Sequence, residues 1–289
     1  MMNRLLYILL FCLLCSCASR RGEDADKPML VVSIEPMRYF VEEIAGDAFE
    51  VVTMVPRGGN PETYEPVPSQ LMGMEQCDAY LRVGPIGFEE AWIERLSAIA
   101  PRMQVMDMSE GIRFFHDVHA DGDAHIDERE PHVWTSPRNA RIIARNICQA
   151  LSSLSPADSL SFRQRWQALD SMMADTDKQV TQMLAHNADS TFLIYHPTLS
   201  YFASDYGLRQ LCIEEEGKEP SPAHLRTLVD ACRRLGTRVV FLQQQFDCRH
   251  VEVIATETGL RIVPIDPLGY HWQDEVLRVA AALRKEVVQ

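Results

Sequence analysis

No glycine or proline interrupts the chain between Pro156 and Pro197. Within that stretch Phe162, Trp166, Leu169, Met173, Val180 and Leu184 recur at three- and four-residue steps or their multiples, the mark of one helix face. Ser155-Pro156, with Asp158 three residues past the serine, supplies a helix start. The spacing predicts a single helix of about 30 residues, roughly 45 Å long at 1.5 Å per residue. Such a rod exceeds one small domain and reads as a rigid connector.

Both sides of this rod alternate strand and helix patterns. On the amino-terminal side, β-branched runs at 29–34, 50–55, 79–83 and 104–108 flank helical patterns at 35–46 and 87–100. A further helix at 136–151 opens on Ser136 as cap and Pro137 at its first position. On the far side, strand patterns at 191–195, 238–242 and 261–265 alternate with helical patterns at 222–236, 248–259 and 272–286. This is βαβ logic and predicts an α/β fold. The chain is expected to form two lobes, each a mainly parallel sheet flanked by helices, over 29–154 and 188–289. The connecting helix spans 155–187.

The first residues read as a targeting segment. Arg4 precedes an apolar run from Leu5 to Leu14 that is too short to span a bilayer. The following "LCSC" resembles the lipobox of bacterial lipoproteins, which implies a signal peptide over 1–16, lipid on Cys17 and a polar tether to residue 28. The product is then an exported lipoprotein that touches the membrane through its anchor alone. A formal net charge of −13 argues against a nucleic-acid partner, because a phosphate backbone requires clustered Lys and Arg. Of the eight cysteines, Cys77, Cys148, Cys212, Cys232 and Cys248 lie beyond Cys17, and none forms a CxxC pair. An exported compartment permits a bridge among the last three, with the pairing open.

Ligands in open α/β sheets bind beyond the carboxyl ends of the strands. Here the strand at 50–55 leads into "GGNPETYEPVP" and Glu62, that at 191–195 into His196-Pro197, and that at 261–265 into Asp266-Pro267. His132, in "EPHVWTSP", stands just before the Ser136 cap. Folded together, these four offer one imidazole and one carboxylate from each lobe, a set suited to Zn²⁺ or Mn²⁺. Glu65 and Tyr64 are expected to brace the first loop or support a ligand from behind.

Two other loops are acidic. The segment 115–131 carries His116, His119 and His125 among acids and has no apolar period. It reads either as a solvated loop or as a weak metal collector. A calcium loop is excluded, because Ile126 stands where the sixth-position glycine is required. The second, "IEEEGKEPSP" at 213–222, reads as a solvated charged loop.

The segments "NPETYEP", "EPHVWTSPRNA", "HPTLSYFASDYGL", "EGKEPSP" and "IDPLG" together resemble the metal-receptor lipoproteins of zinc and manganese ABC importers, the ZnuA/TroA-like cluster A-I solute-binding proteins. The likeness covers essentially the whole mature chain. It implies two α/β lobes bridged by a long helix, one divalent metal between them as transported cargo, no catalysis, a monomer, and delivery to an ABC permease. Glu62, His132, His196 and Asp266 fall on the family's ligand positions. The family's first loop usually carries His where this chain has Glu62, which leaves zinc against manganese open, and the His-bearing loop favours zinc. Two readings stand against a metal receptor. One is a metal-dependent hydrolase with Glu62 as general base, although the sequence has neither HExxH nor GxSxG. The other is an adhesin or siderophore receptor on the same scaffold.

Overall fold

A computed structural model describes residues 27–115, 129–187, 190–214, 218–246 and 249–284. The targeting segment with Cys17, the loop histidines His116, His119 and His125, and Cys248 lie outside the described residues. The first lobe holds strands β1 (Met29–Val32), β2 (Glu50–Thr53), β3 (Cys77–Arg82) and β4 (Gln104–Asp107). Its helices are α1 (Glu35–Ala45), α2 (Pro68–Gly73), α3 (Gly87–Ile99) and α4 (Pro137–Leu154). The second lobe holds β5 (Thr191–Ile194), β6 (Arg209–Cys212), β7 (Val239–Gln243) and β8 (Arg261–Ile265). With them are α6 (Ser200–Asp205), α7 (Pro222–Leu235), α8 (Arg249–Thr258) and α9 (Trp272–Leu283). Between the lobes runs α5 (Ser159–Met183).

Each lobe is a four-stranded sheet, ordered β2-β1-β3-β4 in the first and β6-β5-β7-β8 in the second. Every pairing is parallel. The two sheets therefore repeat one topology without an evident sequence repeat. Their central strands are buried on both faces, as parallel sheets require: β1 buries Leu30, Val31 and Val32, and all of β5 is buried.

The connecting helix is shorter than its pattern predicts. Residues 156–158 form a 3₁₀ turn, in which Ser155 Oγ donates to Asp158 Oδ2 at 2.7 Å, and the α-helix proper has 25 residues. Its length is then about 37 Å. Phe162, Leu169, Met173, Thr176 and Val180 are buried along one face. That face packs on α1 and α4 of the first lobe and α9 of the second. Polar bolts fix the helix to both: Arg141 on α4 makes a two-pronged pair with Asp170 (2.7 and 2.9 Å), Tyr206 Oη donates to Asp177 (2.7 Å), and Gln273 donates to Thr176 (3.0 Å).

The lobes share one continuous apolar core that runs from β1 and α1 through α5 to β7 and α9. A second cluster fills the other face of the second sheet. At the seam, Trp272 Nε1 donates to the Trp134 carbonyl at 2.7 Å and Trp134 Nε1 donates to the Pro267 carbonyl at 2.9 Å. Phe40 meets Trp272 edge-on at 5.5 Å. A large apolar interface restrains relative motion, so the cleft between the lobes is largely preformed.

Three elements escape the sequence reading: α2, α6 and β6. Each is four to six residues long and none carries a β-branched run or a full turn-to-turn apolar period. Strand β6 (RQLC) exists because β5 offers it a ladder. Cys77, Cys148, Cys212 and Cys232 carry free thiols.

Candidate metal centre

The first-lobe loop is stiff for nameable reasons. Pro56 and Gly59 close one turn through a 2.9 Å backbone bond, and Asn60 accepts the Glu62 N–H on its side chain at 2.9 Å. The Phe88 N–H donates to the Pro61 carbonyl at 2.8 Å. Bracing falls to Tyr64, whose hydroxyl donates to Gln70 Oε1 at 2.7 Å while Gln70 Nε2 reaches the Met54 carbonyl at 2.7 Å. Glu65, expected to share that role, is exposed.

His132 precedes a short 3₁₀ turn, and the Ser136 cap forms as the sequence predicts, accepting the Asn139 N–H at 3.1 Å. The imidazole is buried, with Nδ1 2.6 Å from Glu130 Oε1. Glu130 also accepts the His132 N–H at 3.0 Å and a hydroxyl bond from Ser200 of the other lobe at 3.2 Å. A carboxylate can only accept, so His132 carries its proton on Nδ1 and turns Nε2 into the cleft. Burial pushes the His132 imidazole down, but charge and hydrogen bonding from Glu130 outweigh it and hold its pKa above the usual value. Burial likewise pushes Glu130 up, and His132 brings it below the ordinary carboxylate range.

His196 repeats the arrangement from the second lobe. Its Nδ1 lies 2.7 Å from Glu214 Oε1, its backbone N–H donates to Gln243 at 3.0 Å, and its ring stacks on Phe246 at 5.1 Å. Sheet register explains the carboxylate: Ile194 of β5 pairs with Cys212 of β6, so the residues two beyond each strand, His196 and Glu214, stand side by side. The loop read as merely solvated therefore begins with a half-buried partner of a site histidine.

The two Nε2 atoms meet at 3.2 Å. Glu62 Oε1 lies 4.0 Å from His132 Nε2 and, although shielded from solvent, has no hydrogen-bond partner. Ligand atoms of Glu62, His132 and His196 fall within 4.8 Å of one another. Asp266 is not in that cluster: its Oδ1 accepts from Gln245 Nε2 at 3.2 Å and its backbone N–H donates to Glu275 at 3.0 Å.

The donor set suits a cation. When both imidazoles are neutral and carry their protons on Nδ1, the two Nε2 lone pairs oppose each other and have no hydrogen bond to share. Two Zn–N bonds of ~2.0–2.1 Å at a tetrahedral angle separate the nitrogens by about 3.3 Å, close to the observed 3.2 Å. The space they share with Asn60, Gln243 and Leu268 is about 20 Å³. A cavity needs roughly 10–15 Å³ to hold one water, so the space between the donors is of the size of a single ion or water.

Glu130, Glu214, Gln243 and Gln245 carry parts of this site that sequence reasoning missed. Glu130 had a local signal, two residues before His132. The others had none, because only strand register brings them there.

Residues 30–277 match the model of the family described as zinc-uptake complex component A, periplasmic. The chain belongs to this family. A crystal structure of ZnuA superposes with a TM-score of 0.83 at 32% identity, over 90% of this chain and 99% of that one. A putative metal-binding protein of Chlamydia trachomatis serovar D is 26% identical over 282 residues, 96% of this chain and 98% of its own length. The zinc-binding lipoprotein AdcA of Streptococcus pneumoniae R6 is 24% identical over 268 residues, 88% of this chain, which spans 52% of AdcA. A manganese-bound periplasmic metal-binding protein from Candidatus Liberibacter asiaticus, at 19% identity and a TM-score of 0.76, shares the fold. The ZnuA-type architecture of two parallel-sheet lobes and one long helix is thus the one expected from the sequence. Among the described residues no helix is long and apolar enough to cross a membrane.

Proposed function

We propose that this protein is the extracytoplasmic receptor of an ABC importer, which captures a divalent transition metal between its lobes and hands it to the membrane permease. Zinc is the cargo, and the chain works as a monomer tethered by lipid on Cys17. One observation carries the reading. Two imidazoles with bare nitrogens 3.2 Å apart and an unpartnered carboxylate oxygen converge on room for one ion. Glu62, His132 and His196 are the ligands, and Asp266 joins them on loading. The small space speaks against a siderophore or a hydrolase substrate. The relatives named zinc-binding support the choice of zinc.

A second reading, manganese, draws on Glu62 itself, since carboxylates suit manganese better than imidazoles do. Calorimetric titration of the purified mature chain with Zn²⁺, then with Mn²⁺ in competition, tests both. Tight zinc binding that is lost in the double variant His132→Ala, His196→Ala is expected. Absence of tight binding by the unaltered chain would sink the proposal, and preferential retention of Mn²⁺ would favour the second reading.

A further inference from the structure

Glu62 is held at both ends. Its N–H is tied to Asn60, and its Oε2 accepts the Gly87 N–H at 3.0 Å. Gly87 is the first residue of α3, so this amide is among the donors that a helix leaves unpaired at its start. A side chain has no room there: a Cβ on Gly87 would lie 2.7 Å from the Glu62 carbonyl oxygen and 2.8 Å from Oε2. The helix head sits directly on one carboxylate oxygen. The other, Oε1, is shielded, unpartnered and turned toward the imidazoles.

A carboxylate can bind a cation through one oxygen or chelate it through two. We infer that the Gly87 amide holds Glu62 as a one-oxygen ligand and thereby tilts the cleft toward zinc over manganese. Three single-atom donors and a fourth position match the tetrahedral preference of zinc. Manganese favours a larger, oxygen-rich shell, which a chelating Glu62 would help to fill. Gly87 acts through Glu62 and is a positioning residue. The inference rests on the reading of the cleft as a metal site.

The test begins with the unaltered chain. Its cobalt-loaded form should give the intense visible bands of four-coordinate Co²⁺, and its zinc-loaded crystal structure should show Oε1 alone within bonding distance. Weak five- or six-coordinate bands, or both Glu62 oxygens on the metal, overturn the inference while leaving the receptor reading intact. No metal binding at all overturns both.

Variants then separate positioning from packing. In Glu62→Gln the amide has a single acceptor oxygen, which the Gly87 N–H claims, so an NH₂ group faces the imidazoles and zinc binding is lost. Replacing Gly87 by glycolic acid puts an ester oxygen in place of the N–H and adds no Cβ where none fits. Combined with Glu62→Gln, it should free the amide oxygen and regain at least ~10-fold in zinc affinity, the scale of an outer-shell hydrogen bond. With Glu62 present, the same ester should lower the Zn²⁺:Mn²⁺ affinity ratio by a similar factor. An unchanged ratio in the folded ester chain, or no regain in the combined variant, overturns the inference.

Discussion

His132 Nε2 and His196 Nε2 face each other at 3.2 Å across the cleft, each turned there by a carboxylate on its far nitrogen. With Glu62, the pair forms the group of metal-ligating side chains close enough to share one ion among the described residues. Glu130 and Glu214 fix the tautomers, so the site is organised before any cation arrives. The shared apolar core behind it limits how far the two imidazoles can separate.

Removing one of these carboxylates should weaken binding without abolishing it. Glu214→Ala leaves His196 in place but frees its Nδ1 and its ring orientation. Zinc affinity should fall by about 10–100-fold, the usual effect of losing such a partner. Competition with a chromophoric chelator measures it, and an unchanged affinity would contradict the role assigned to Glu214.

Asp266 makes a separate prediction. Its Oδ1 accepts from Gln245, a bond that would compete with a metal bound at the same oxygen. Asp266→Ala should weaken zinc binding by more than ~10-fold, beyond the least effect of an outer partner. Gln245→Ala removes only a competitor and should not weaken it. Equal losses in the two variants would show that Asp266 acts as part of a hydrogen-bond pair and never as a ligand.

The tryptophan seam bears on stability. Trp272→Phe keeps most of the apolar contact with Phe40 but leaves the Trp134 carbonyl without its indole donor. An unsatisfied buried acceptor costs about 1–3 kcal/mol. Urea unfolding of the metal-free chain should reveal that loss, and a stability equal to the parent would mean the bond contributes nothing net.

Glu89 predicts a pH dependence away from the metal centre. Its carboxyl is fully buried on α3, where it accepts from Ser33, from Arg82 at 3.2 Å, and from the Val83 and Gly84 amides at 2.8 and 3.1 Å. Burial raises its pKa to about 7, although these donors pull it down. A folded value above the unfolded one means that folding takes up a proton. The contribution is therefore present below the ordinary glutamate value of about 4.3 and is lost as pH rises through about 7. Unfolding free energies of the metal-free chain at several pH values across that window should decline. Glu89→Gln should flatten the decline, and parallel curves for parent and variant would assign the effect to another group.

The sequence by itself determined the alternation of strand and helix, the long connector, the Ser136 cap and the presence of ligand-type residues at strand ends. These are short-range properties: apolar period, missing N–H groups, and side chains that bond their own neighbouring backbone. The tertiary structure decided which nitrogen faces the cleft, which oxygen of Glu62 is free, and that Asp266 stands apart from the other three. Those outcomes depend on partners far along the chain: 18 residues from His196 to Glu214, 25 from Glu62 to Gly87 and 64 between the two histidines. Strand register and lobe packing bring such groups together, and no local pattern records either. For the same reason β6 has little signal of its own, since its hydrogen bonds exist only once β5 lies beside it.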